Sequence, residues 1–136
     1  MPAPIELIER IPLFEGVDPR TLEQIAQSFK ERDFNPGETI AEQGKSGIGF
    51  FVIEQGEAEV TVDGNPIATL GPGDHFGEIA LIDERARTAT VRAKTELHTY
   101  GLTAWDFRPL VEHNATIAWR LLRELAKLLR DSYERD

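Results

Sequence analysis

The residues best suited to chemistry lie in one stretch, Gly73-Asp74-His75-Phe76-Gly77-Glu78-Ile79-Ala80-Leu81-Ile82-Asp83-Glu84-Arg85-Ala86-Arg87-Thr88-Ala89-Thr90-Val91. A glycine before Glu-Ile-Ala-Leu-Ile can turn the chain tightly into a short helix. The first amides of such a helix have no partner within it, and the helix dipole adds partial positive charge. A start of that kind takes a phosphate readily. Arg87 lies a loop away and can return its guanidinium to the same place, where a planar cation with fixed donors suits a phosphate better than a lysine would. Thr88 adds a hydroxyl and Ala89 an amide. A carboxylate beside a phosphate repels it, so Glu78 needs a different partner, and sugar hydroxyls would supply one. A ribose cyclic phosphate, compact and with a free hydroxyl alongside, would satisfy every one of these groups.

The elements that must position this stretch are legible from pattern and punctuation. Val17-Asp18-Pro19 opens a helix: Asp18 can accept a bond from a free amide, and Pro19 suits the first helical position. Leu22, Ile25, Ala26 and Phe29 then share one face, and Val17 with Leu22 can staple its start. From Phe34 glycines punctuate short β-prone runs, among them 49–53, 57–62 and 66–70, with further strands expected at 88–93 and 97–100. The run 57–62 alternates strictly, as a half-buried strand does. Helices return at the end. Thr103-Ala104-Trp105-Asp106 fits a capping box with Phe107, Leu110 and Val111 behind it, and Asn114 can cap a last helix striped by Ala118, Leu122, Leu125 and Leu129. The expected fold is mainly β with flanking helices: a double-stranded β-helix (jelly-roll) β-roll with an N-terminal helical segment and two C-terminal helices.

Composition removes whole classes of function. The chain has 136 residues, one domain by length, with a formal net charge of −9 and no cysteine. The charge opposes nucleic acid and anionic membranes. The missing cysteine removes disulfides, thiolate metal sites and thiol nucleophiles. No apolar run reaches membrane-spanning length, and the N-terminus lacks the pattern of a secretory signal, so a cytoplasmic location is expected. His75, His98 and His113 are scattered and form no ligand pair at helix or strand spacing. No metal, no cofactor and no catalytic residue is expected.

The stretch resembles the phosphate-binding cassette of the cyclic-nucleotide-binding domain family, the module of catabolite activator protein and of the regulatory subunits of cAMP-dependent protein kinase. The family pattern is Phe-Gly-Glu-aliphatic-small-Leu, a variable loop, then Arg-small-Ala and a strand. Here it reads Phe76-Gly77-Glu78-Ile79-Ala80-Leu81, then Arg87-Thr88-Ala89-Thr90-Val91. Ile11-Pro12-Leu13-Phe14, Phe34-Asn35-Pro36-Gly37-Glu38-Thr39-Ile40, Phe51-Val52-Ile53-Glu54-Gln55-Gly56-Glu57-Ala58 and Leu70-Gly71-Pro72-Gly73-Asp74 extend the resemblance over nearly the whole chain. It implies one domain over 1–136: a helical segment over about 1–30, a β-roll over 31–102 with the cassette at 76–91, and C-terminal helices over 103–136. It also implies roles. Glu78, with Gly77, would hold the ribose. Arg87 would pair with the phosphate, and Thr88 with the amides of Ala89, Gly77, Ile79 and Ala80 would complete the cradle. Val60, Ile67 and Leu70 would face the base, with Ser132 and Tyr133 as a lid. A hydroxyl residue after the arginine favours cGMP in some branches and is compatible with cAMP in bacterial regulators; cAMP is the expected ligand over cGMP.

The function so implied is a non-catalytic cyclic-nucleotide sensor that signals through its last helices to an effector protein, either a partner or a fused one. Two rivals remain. A degenerate or repurposed β-roll could dimerise or dock a partner with no nucleotide. A small cupin-like enzyme would share the texture, but it needs a His-x-His cluster that is absent. Val60, Ile67 and Leu70 serve equally well as core, Arg85 reads as a solvated loop residue, and Tyr133 reads from position alone as an exposed terminal side chain. The Leu stripe of the last helix can pack on the roll or pair with a second copy, and a homodimer through that helix is expected. Nothing follows the helix in this sequence that could form a DNA-reading head or a kinase, so the chain reads either as a stand-alone module or as a fragment of something longer.

Overall fold

The central apolar run Phe50-Phe51-Val52-Ile53 is too apolar for a strand with one wet face, and the reason is its position. It lies in β3 (Gly49–Gln55), where Phe50, Phe51, Val52 and Ile53 are all buried. The computed structural model describes residues 3–42, 49–77 and 89–134. Around β3 the other strands are β1 (Lys30–Phe34), β2 (Thr39–Ala41), β4 (Ala58–Val62), β5 (Asn65–Leu70), β6 (His75–Phe76), β7 (Thr90–Ala93) and β8 (Leu97–Thr103). They form two antiparallel sheets, one in the order β1-β8-β3-β6 and the other β2-β7-β4-β5. The helices are α1 (Ile5–Ile8), α2 (Pro19–Ser28), α3 (Ala104–His113) and α4 (Ala115–Glu134), with a 3-10 turn at Pro12–Phe14. The β-roll with flanking helices is therefore as expected, two of the helices closing the chain.

Side chains alternate along a strand, so β3 feeds two cores. Phe51 and Ile53 point between the sheets and pack with Ala41, Ala58, Phe76, Val91, Ala93 and Leu97. Phe50 and Val52 point the other way, with Tyr100 and Leu102 of β8, into a cluster built by Ile8, Phe14, Leu22, Ile25, Phe29, Phe107, Ile117 and Leu121. Phe29 is the hinge of the helical cluster. It meets Phe14 edge-on at 6.4 Å and Phe50 at 6.2 Å, and it sits between α2 and β1 in the chain.

The expected caps are in place. Asp18 accepts from the Thr21 amide at 3.1 Å, with Pro19 first in α2. Thr103 accepts from the Asp106 amide at 3.3 Å, and its hydroxyl donates back to the Asp106 carboxylate. Asn114 accepts from the Ile117 amide at 3.2 Å and starts α4. Arg120 ties α4 to the body by donating to the Glu15 carbonyl at 3.0 Å. Beyond Leu125 the described residues of α4 are exposed, so its last turns run clear of both cores.

Gly56, between β3 and β4, has φ +96 and lies hard against the β7–β8 turn: a Cβ built there would sit 2.1 Å from the Glu96 carbonyl oxygen. Gly37 has a similar φ of +87, but a Cβ there meets nothing within 4 Å. Gly37→Ala is expected to lose about 1–2 kcal/mol, the left-handed penalty alone. Gly56→Ala is expected to lose distinctly more, because backbone must also move. Urea unfolding of the two variants checks this, and equal losses would contradict the close approach.

Candidate functional site

The segment that carries the candidate chemistry connects the two sheets. Gly77 leaves β6 in one sheet, and Ala89 leads into β7 in the other. Both ends are held firmly. On the entry side, the turn Gly71–Asp74 is strapped to the middle of β3. Gly73 donates to the Ile53 carbonyl at 2.8 Å, and Ile53 donates to the Asp74 carbonyl at 2.9 Å. The Asp74 carboxylate accepts from the Gly71 amide at 2.8 Å, closing the turn. Phe76 then stacks on Phe51 at 5.3 Å and 22°, and His75 lies 5.4 Å from Phe50. Gly77 follows with φ +94, a conformation that glycine adopts without the steric penalty of a side chain. On the exit side, Val91 is buried between the sheets and pairs with Ala41 of β2 and Val60 of β4.

Of the residues assigned to ligand, Gly77 and Ala89 are thus placed at the two mouths of the segment, both half-buried. Glu78, Ile79, Ala80, Arg87 and Thr88 lie outside the described residues. Val60 and Leu70 pack at the rim of the inter-sheet core beside Phe34 and Ile40. Ile67 is different: the register between β4 and β5 shifts from Val60↔Ala68 to Thr61↔Pro66, which leaves Ile67 as the extra residue, 62% exposed. Ser132 and Tyr133 lie on the exposed end of α4, with Tyr133 71% exposed. Of the assigned base pocket, Ile67 and the lid residues Ser132 and Tyr133 are thus exposed, whereas Val60 and Leu70 are half-buried.

The family model of the cyclic nucleotide-binding domain matches residues 31–114. The chain belongs to the cyclic nucleotide-binding domain family. It is 37% identical over 106 residues to a cAMP-dependent protein kinase regulatory subunit of Emericella nidulans, a match covering 76% of this chain and 26% of that protein. Among solved structures it resembles the catabolite activator protein of Thermus thermophilus, with a TM-score of 0.81 and 29% identity over 91% of this chain and 61% of that one. It also resembles a cAMP-bound PfPKA-R, with a TM-score of 0.75 and 28% identity over 93% of this chain and 45% of that one. The chain spans about a quarter of the length of the kinase regulatory subunits it matches.

The histidines were read as scattered, and two of the three lie in distinct settings here. His75 belongs to the Phe50 contact above. His98 stands between two carboxylates: Nδ1 bonds Asp33, and Nε2 lies 3.4 Å from Glu54. Only the pairing of β1 with β8 brings residues 33 and 98 together, so nothing local in the sequence signals this cluster. Among the described residues no group of three or more His, Cys, Asp or Glu could hold a metal ion, and no helix is long and apolar enough to cross a membrane.

Phe76 is the anchor through which the entry to the cassette is fixed to β3. Phe76→Ala should lose about 3–5 kcal/mol of stability, and Phe76→Leu considerably less. Thermal and urea unfolding read both, and a loss under about 1 kcal/mol for the alanine variant would contradict the anchoring role.

Proposed function

We propose that this chain is the sensing module of a cyclic-nucleotide response: it binds cAMP in preference to cGMP, catalyses nothing, and passes the binding event through α3 and α4 to an effector protein. The observation that carries the most weight is that the family match covers 31–114 and therefore includes the whole cassette. That stretch contains Phe76-Gly77-Glu78 and Arg87-Thr88-Ala89. Relatives named for cAMP-dependent kinase regulation, and a cAMP-bound structural neighbour, support the same ligand. In this reading Arg87 grips the phosphate, with Thr88 and the amides of Gly77, Ile79, Ala80 and Ala89 around it. Glu78 takes the ribose hydroxyl. Val60, Ile67 and Leu70 offer the base an apolar wall, and Ser132 and Tyr133 close over it. The exposure of Ile67 and Tyr133 fits a pocket and lid that come together on a ligand. Leu81 or Ile82 then repacks against Phe107 at the root of α3, and the last helix moves toward the base. A ligand drives such a change only by its difference in affinity for the two states. The module works in the cytoplasm and approaches neither nucleic acid nor membrane, as its net charge of −9 favours.

Part of the output surface is a homodimer contact on α4. Ala118, Leu122 and Leu129 follow one another at helical spacing, and the last two are exposed large side chains, as is Trp119 to one side of them. Arg120 and Lys127 fall on the opposite side of the helix, and Arg123 and Arg130 flank the face beside Trp119. A second copy laid along Leu122 and Leu129 would cover them while leaving Arg120 and Lys127 in water.

Thermal-shift measurements with cAMP, cGMP, AMP and sulfate are expected to show stabilisation by the cyclic nucleotides alone, larger for cAMP, since a ligand of the folded state raises its stability. Arg87→Ala should weaken cAMP binding by about 3–5 kcal/mol, a hundredfold or more in Kd. Calorimetry reads this, and tight binding retained in that variant would refute the assignment. Leu122→Glu combined with Leu129→Glu should yield a monomer in sedimentation with the unfolding midpoint of an isolated subunit, since neither side chain is in a core. An unchanged sedimentation profile would remove the proposed contact.

A further inference from the structure

We propose that Asp33, His98 and Glu54 form a pH-operated clasp that holds the edge strand β1, and through it the N-terminal helices, against its sheet. The clasp joins three strands. His98 of β8 stands opposite Asp33 of β1 in the ladder, so both side chains leave the same face of the sheet. On the other side of β8 the pairing with β3 passes from Ile53↔Thr99 to Gln55↔His98, which makes Glu54 an inserted residue. Such bulges re-aim side chains, and this one brings the Glu54 carboxylate to 3.4 Å from Nε2 while Nδ1 bonds Asp33.

Both ring nitrogens therefore face acceptors. A neutral imidazole has one N–H and can donate to only one of them, whereas an imidazolium donates to both. Among the described residues Glu31 of β1 and Tyr100 of β8 also lie near, with the Tyr100 ring edge-on to His98 at 5.2 Å. Glu96 lines a cavity of about 260 Å³ next to the clasp, along with Asp33, Phe34, Gln55 and His98. Each of these neighbours is acidic or neutral, so the setting favours the cation. The hydrogen bond to Asp33 is the largest influence and raises the His98 pKa above its ordinary 6.5; partial burial opposes it, and the charges of Asp33, Glu54 and Glu31 add to it. The sign follows from linkage. A group with a raised pKa in the folded state lends its full stabilisation below its unfolded value and loses it as the pH climbs through the folded value. The clasp is closed in mild acid and opens on the alkaline side.

What loosens is the Asp33–Phe34 end of β1: a neutral imidazole with its proton on Nδ1 no longer donates to Glu54 and holds Asp33 without the charge that strengthens the bond. That strand has a ladder partner on one side only, β8. Its middle is held independently by the buried Thr99, whose hydroxyl donates to the Arg32 carbonyl at 2.8 Å. Upstream, β1 follows directly from Phe29, which packs on Phe14 and Phe50. Loosening the edge strand therefore reaches the helical cluster.

The test uses the whole chain. NMR titration of the imidazoles, with His98→Gln to assign the resonance, should find His98 titrating above 6.5. Asp33→Asn should return it toward the ordinary value. Amide exchange in β1, corrected for its intrinsic dependence on pH, should accelerate several-fold as the pH rises through that titration, while the β4–β7 ladder stays unchanged. In Asp33→Asn the step should vanish. A His98 that titrates at or below the ordinary value would overturn the proposal, as would β1 exchange indifferent to its titration. Both readouts come from the unaltered chain, so they decide even if a variant fails to fold.

Discussion

Strand β3 is buried on both faces, and this double burial ties every other part of the molecule together. Phe51 and Ile53 belong to the space between the sheets, and Phe50 and Val52 to the space beneath the helices. β3 thus transmits position between two cores, to which β8 also contributes through Leu97 on one side and Tyr100 and Leu102 on the other. It carries the entry to the cassette through Phe51 and Phe76, and the helical cluster through Phe50 and Phe29. Protein interiors are close-packed and transmit strain rather than absorbing it. A shift at one face of β3 is therefore felt at the other, which is the route the proposed coupling between a ligand on the roll and the helices would take.

The parts of the fold that were legible in the sequence are those governed by local chemistry. Asp18-Pro19, Thr103 with Asp106, and Asn114 cap helices through bonds spanning three residues, so the sequence contains both partners. The strict alternation of 58–62 and the apolar run at β3 reveal strands by period and by length. What escaped depends on partners far along the chain. Lys-Glu-Arg-Asp-Phe gives no sign of β1, because an edge strand with an exposed face has little need of apolar residues. The bulges that displace Ile67 and Glu54 exist only in the pairing of strands, and so does the meeting of His98 with Asp33.

The candidate site divides along the same line. The phosphate and ribose positions are proposed from a single short stretch, Phe76 to Val91, where family pattern and chemistry agree. Its base positions were less legible. Val60 and Leu70 serve the inter-sheet core as well as a pocket, and period alone does not separate the two uses. Ser132 and Tyr133 ride on a helix whose last turns touch neither core, so their place is set by the orientation of α4 rather than by any neighbour in sequence.

Gly77 leaves a strand of one sheet and Ala89 leads into a strand of the other, and each is fastened to a packed interior. The spacing between these two stations is therefore set by how the sheets pack on one another. A substitution deep between the sheets would be felt in that spacing even with every residue of the cassette unchanged.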